Sequence, residues 1–156
     1  MQFSTHDLLA LLCASVLTVM VVVIHYEALR LLSAMSPHRW SGRVNVGVLI
    51  LCIIVAHCLE AIVFGAGYWV AGHVLGLGGL GGPQPVQPIT YIYFSLETYT
   101  TQSLGDIAPI GATRLIASIE PLVGLILIGW STSFTYIIMR RDWPTAVASQ
   151  ATQGDL

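Results

Sequence analysis

The chain has 156 residues and a formal net charge of −2, with 55% hydrophobic and only 9% charged residues. A mean hydropathy of +0.78 is far from a soluble domain, in which about a quarter of residues are charged. The length allows one ordinary domain, and a chain with no lysine and a negative balance lacks the basic face that a nucleic-acid partner requires.

The first apolar stretch, residues 7–34, exceeds the ~20 residues needed to cross a bilayer core. It has no basic segment before it and is too long for the apolar part of a signal peptide. A second stretch covers 44–72. Both must be helical, because lipid offers backbone groups no partner. The segment from His73 to Pro88 is rich in Gly and Pro and reads as an exposed loop. ITYIYFSLETYTT follows at 89–101, apolar and aromatic but too short to span, a length that fits a re-entrant helix. The third span is 112–139, and from Pro144 the chain is small and polar, the composition of a disordered tail. The expected architecture is an all-α membrane protein with three transmembrane helices and a re-entrant loop. Its parts are 1–43 (first helix and turn), 44–143 (pore domain) and 144–156 (tail). Cys13, Cys52 and Cys58 all lie in apolar runs without metal-ligand spacing and read as small buried side chains.

Arg30, Arg39 and Arg43 flank the first turn, and Arg140 and Arg141 end the third span. Under the positive-inside rule these five mark the cytoplasmic side of an inner or plasma membrane. The N-terminus and the re-entrant segment then face outside, and the C-terminus is cytoplasmic.

Residues 101–106 read TQSLGD. With their surroundings they resemble the pore domain of the two-transmembrane potassium-channel family, whose filter reads TVGYGD, here carried with an extra N-terminal helix. Pro109, Arg114 and Gly124 match the family pattern after the filter, Gly124 at the inner-helix hinge. The resemblance implies a filter of Thr101, Gln102, Ser103, Leu104 and Gly105. It implies support from Glu97, paired with Asp106 behind the filter, and an aromatic cuff of Tyr93 and Phe94. It further implies a homotetramer in lipid, a monovalent permeant cation, foremost potassium, and no cofactor. Such filters coordinate dehydrated cations with backbone carbonyls from four chains, and glycine lets successive residues alternate in handedness at low cost. Ser103 in place of the first glycine costs about 1–2 kcal/mol if left-handed. Gln102 replaces an apolar residue, and Leu104 removes a tyrosine hydroxyl. The filter is therefore expected to be atypical: less selective, wider or closed.

Two polar sets remain inside the apolar spans. Glu120, Gly124, Ile128, Ser131 and Thr135 step by three or four and share one helical face, either lining a water-filled pore or packing against a neighbouring helix. Pro121 should bend that helix. His25, Glu27, His57 and Glu60 are ionisable groups at costly depth. They form either a metal or proton site, with the pore loop merely structural, or a hydrogen-bonded cluster joining the first two helices. Glu27 has Arg30 one turn on as a local partner. No nucleophile–base pair suggests an enzyme. A cation channel is the leading expectation; a metal- or proton-binding membrane protein and a non-conducting channel subunit are the rivals.

Overall fold

The computed structural model describes residues 4–35, 42–83, 85–102 and 105–142. The elements in chain order are α1 (Thr5–Met35), α2 (Gly42–His73), β1 (Gly78–Gly81), α3 (Pro88–Tyr99), β2 (Ala108–Gly111) and α4 (Thr113–Asp142). Helices α1, α2 and α4 are each long and apolar enough to cross a membrane, with mean hydropathies of 2.7, 2.7 and 1.8 over their best windows. At 31 residues, α1 is about 46 Å long at 1.5 Å per residue, more than a bilayer core demands.

α1 starts at a reciprocal cap. The Asp7 amide donates to Ser4 Oγ at 3.2 Å and the Ser4 amide donates to Asp7 Oδ2 at 3.0 Å, so two otherwise orphaned donors are satisfied. Its inward stripe is Ala10, Ala14, Leu17, Val21, His25 and Leu29, all buried. Steps of three and four keep these residues on one face, and the alanines permit close approach to a neighbour. α1 packs on both α2 and α4, and α3 is held between α2 and α4. The main core lies where they meet, around Phe64, Tyr68, Tyr91, Phe94, Tyr99 and Ile116. A smaller cluster of Leu29, Leu49, Ile53 and Ile138 closes the other end.

Two expectations are corrected. The 73–88 segment is not simply an exposed loop: Leu77 and Leu80 are buried, and β1 pairs antiparallel with β2, Gly78 opposite Gly111 and Gly81 opposite Ala108. Gly78 is required there, because it has φ +126° and a Cβ would fall 1.8 Å from the Ile110 carbonyl oxygen. The cysteines are not all buried either; Cys52 and Cys58 are exposed and Cys13 is half-buried, on helix faces where a thiol behaves as a small apolar group toward lipid. α4 runs unbroken through Pro121. The 144–156 tail lies outside the described residues.

Candidate functional site

α3 begins with Pro88 in its first turn, where a missing N–H costs nothing. The Gln87 amide donates to Thr90 Oγ1 at 3.1 Å. Its other end is wound shut. The Gln102 amide donates to the Glu97 carbonyl at 2.7 Å and the Thr101 amide to the Thr98 carbonyl at 3.0 Å. These are the two bonds of a Schellman cap. The residue that makes the turn is Thr101, with φ +63°, a position that glycine normally fills because a Cβ is strained there. Gly105, four residues further on, is also left-handed at φ +77°. Ser103 and Leu104 lie outside the described residues; Gln102 is exposed.

Behind this turn is a cavity of about 670 Å³, lined by Phe94, Glu97, Thr101, Gln102, Gly105 and Arg114 among others. Asp106 opens instead onto a separate cavity of about 380 Å³ beside Gly82, Val86 and Thr90. Within the subunit Glu97 and Asp106 therefore do not pair, contrary to the expectation from resemblance: no hydrogen bond or ion pair joins them among the described residues. Arg114 is tied down by its Nε donating to the Pro109 carbonyl at 3.1 Å. Tyr93 and Phe94 part company as well. Phe94 is buried and meets Tyr68 edge-on at 5.1 Å, whereas Tyr93 is 57% exposed. Consecutive helical residues point about 100° apart, so one faces the subunit core and the other faces away.

The polar stripe of α4 faces into the subunit at three of its five positions. Glu120 is fully buried; Tyr68 Oη donates to its Oε2 at 2.5 Å, and Ser95 Oγ lies 2.5 Å from its Oε1. Ser95 Oγ is also 2.6 Å from the Ala61 carbonyl. A hydroxyl has one proton, so a single proton on the Glu120 carboxyl is what satisfies both Ser95 contacts at once. Gly124 is a contact point, since a Cβ there would sit 2.2 Å from the Tyr99 carbonyl oxygen. Ser131 is buried between the two histidines described next. Ile128 and Thr135 are partly open and, with the buried Ser131, line a groove between α2 and α4. Helix packing, not a water-lined wall, is thus the environment of Glu120, Gly124 and Ser131.

The second buried carboxylate is Glu60. It takes His25 Nδ1 at 2.8 Å on Oε1, and His57 Nδ1 at 3.0 Å and Tyr99 Oη at 2.5 Å on Oε2. Both histidines turn their Nε2 atoms to Ser131 Oγ, at 3.1 Å from His57 and 3.3 Å from His25. Every buried side-chain nitrogen and oxygen among the described residues has a partner, as membrane burial demands. Glu27 is not a member: it pairs with Arg30 at 2.9 Å on an exposed surface.

A sequence model described as "Ion channel" matches residues 44–141, which is α2 through α4 with the whole pore loop. The chain belongs to the ion-channel family. It is a multi-pass membrane protein of the two-transmembrane, potassium-channel-like type. No curated protein and no solved structure matches it. In this channel α1 lies outside the matched region and is attached to it by apolar packing and by His25. Sequence reasoning passed over three residues that hold the pore helix in place: Tyr68, Ser95 and Tyr99. Each is a hydroxyl within an apolar helix, and that is the signal that could have found them, because a buried hydroxyl without a partner is costly.

Proposed function

We propose that four copies of this chain assemble around an axis and conduct monovalent cations, potassium foremost, through a filter built from residues 101–105. The observation that supports this reading is α3 itself. It is 12 residues long, too short to span, and it is clamped between α2 and α4 by the Glu60 and Glu120 networks. Past its C-terminal end, Thr101 and Gly105 are both left-handed. Left-handed residues at both positions suit a carbonyl filter, in which backbone handedness alternates, and the C-terminal end of α3 adds partial negative charge beside it. Four subunits are needed to enclose such a path and to shield the loop backbone from lipid. The arginine distribution supports a cytoplasmic C-terminus and an external pore loop in an inner or plasma membrane.

Purified protein in a planar bilayer tests the proposal. Discrete cation currents are expected, with a reversal potential in mixed potassium and sodium salts that shows weaker discrimination than a TVGYGD filter gives. Restoring that filter by Gln102→Val, Ser103→Gly and Leu104→Tyr should sharpen potassium over sodium selectivity. Silence from both proteins, each correctly assembled, would point to a non-conducting subunit.

A further inference from the structure

His25, His57 and Glu60 bring their donor atoms within 4.8 Å of one another, at the junction of α1, α2, the last turn of α3, and α4. Tyr99 Oη joins them, 2.5 Å from Glu60 Oε2 and 2.9 Å from His57 Nδ1. Two imidazole nitrogens, a carboxylate and a phenol oxygen thus converge from three helices. We propose that this cluster is a binding site for a divalent transition metal of the zinc class, which fastens the N-terminal helix to the end of the pore helix.

The donor set is the first argument. Two histidines and a glutamate with a fourth oxygen ligand suit zinc and its neighbours, which accept nitrogen and oxygen in tetrahedral array. With metal–ligand bonds of ~2.0–2.1 Å, tetrahedral ligands stand about 3.3 Å apart. His25 Nδ1 stands 2.8 Å from Glu60 Oε1 and His57 Nδ1 3.0 Å from Oε2, and one donor atom from each of the three residues lies within 4.8 Å of the others, so side-chain adjustment brings the set to that spacing.

The far side of each ring is the second argument. Both Nε2 atoms meet one hydroxyl, Ser131 Oγ. With a metal on both Nδ1 atoms, both Nε2 atoms carry hydrogens, and the two lone pairs of one hydroxyl oxygen accept them. Outer hydrogen bonds of this kind orient histidine ligands in metal sites. Without a metal, the pattern that gives the Glu60 carboxylate a donor from each ring puts hydrogens on both Nδ1 atoms. Two Nε2 lone pairs then face a hydroxyl with a single proton, and one contact goes unmade unless an extra proton enters the cluster. A metal ion and an extra proton are two ways of completing the arrangement, and a His57 tautomer that accepts from Tyr99 Oη at 2.9 Å and donates from Nε2 to Ser131 is a third; the convergence of Tyr99 as a fourth oxygen favours the metal. A way in exists. The His57 side chain is 16% exposed and opens on the groove of about 430 Å³ between α2 and α4. Tyr99 stands two residues before Thr101, so an ion held here bears on the pore loop.

The experiment reads metal, not current, and so stands apart from the question of conduction. The purified full chain is equilibrated with micromolar zinc, freed of unbound ion and analysed for its zinc content. One zinc per chain is expected, and loss of it in the His25→Gln/His57→Gln variant. Ser131→Ala, which removes only the outer acceptor, should weaken zinc affinity by about 10–100-fold. Cobalt(II) bound to the wild-type chain should give the strong visible absorption of a tetrahedral ion; this readout depends on no variant folding. Three results would overturn the proposal: no retained zinc, equal zinc in wild type and double variant, or cobalt keeping the pale spectrum of its octahedral hydrate. Any of them would leave the cluster as a proton-completed packing network.

Discussion

Replacing Gly124 by alanine is the most direct probe of how α4 carries the pore helix. The new methyl carbon would lie 2.2 Å from the Tyr99 carbonyl oxygen and 3.2 Å from Tyr99 Cδ1. A carbon–oxygen contact settles near 3.3–3.6 Å, so α3 or α4 must recede by about 1 Å. The obstacle is backbone, which no rotamer change relieves. Overpacking of this kind costs about 1–3 kcal/mol per chain, and it acts against the helix propensity that favours alanine over glycine by roughly 0.5–1 kcal/mol. Gly129 provides the internal control. It lies in the same helix with nothing within 4 Å of the point a methyl carbon would occupy, so Gly129→Ala should be stabilising by that propensity alone. The assay is equilibrium unfolding in mixed detergent–SDS micelles, followed by helical circular dichroism. Gly124→Ala should fall below wild type and Gly129→Ala should lie above it. The displaced Tyr99 should also disturb the Glu60 cluster. If both variants gain stability equally, Gly124 is an open hinge, as the resemblance to potassium channels implies, and the contact between α4 and the pore helix is not as described.

Three further outcomes are expected. Glu120→Gln should stay within about 1 kcal/mol of wild type, because an amide can donate to Ser95 Oγ while accepting from Tyr68. Glu120→Ala should lose about 2–4 kcal/mol through a cavity and an unpaired tyrosine hydroxyl; equal damage from both in the same unfolding assay would refute the protonated-carboxyl pattern. Thr101→Gly should raise stability by about 1–2 kcal/mol by removing a left-handed β-branched residue, with lower cation discrimination in bilayer recordings if the threonine lines the filter. A thermal melt in which this variant is less stable would contradict the capped geometry. Native mass measurement of the detergent-solubilised protein should give a tetramer, and a stable monomer or dimer would defeat the conduction proposal.

The spans and the pore helix were legible because each is a long or bounded apolar run, and length alone separates a crossing helix from a re-entrant one. The β1–β2 ribbon was not. Its strands read GGLG and APIG, four residues each, with pairing partners about thirty positions apart, and nothing local in a glycine-rich string announces its mate. On α4, spacing correctly grouped Glu120, Gly124 and Ser131 on one face. It could not say what that face meets, since the answer sits in Tyr68, Ser95 and Tyr99 on other helices. The same limit applies to the histidine cluster. His57 and Glu60 share a face at three residues apart, but bringing His25 to them needed the register of α1 on α2. Glu27 was grouped with them by proximity in sequence, although two residues along a helix point to nearly opposite sides. The supposed Glu97–Asp106 pair came from resemblance alone, and the two side chains open on different cavities.

The β1–β2 ribbon also changes what kind of object the pore loop is. Bonds between residues 78–81 and 108–111, locked by the Ala112 amide on the Leu77 carbonyl at 2.8 Å, tie a knotless noose around everything from 82 to 107. The entropy of closing that loop is met at its neck, not at its tip, and closure entropy grows only slowly with the length enclosed. The tip is where TQSLGD departs from the potassium-channel signature. A sequence whose scaffold is fastened at the neck and along the flanks of α3 is free to drift at the tip without unravelling. The departure of residues 101–106 from the TVGYGD pattern is thus the expected behaviour of a loop whose stability was placed elsewhere.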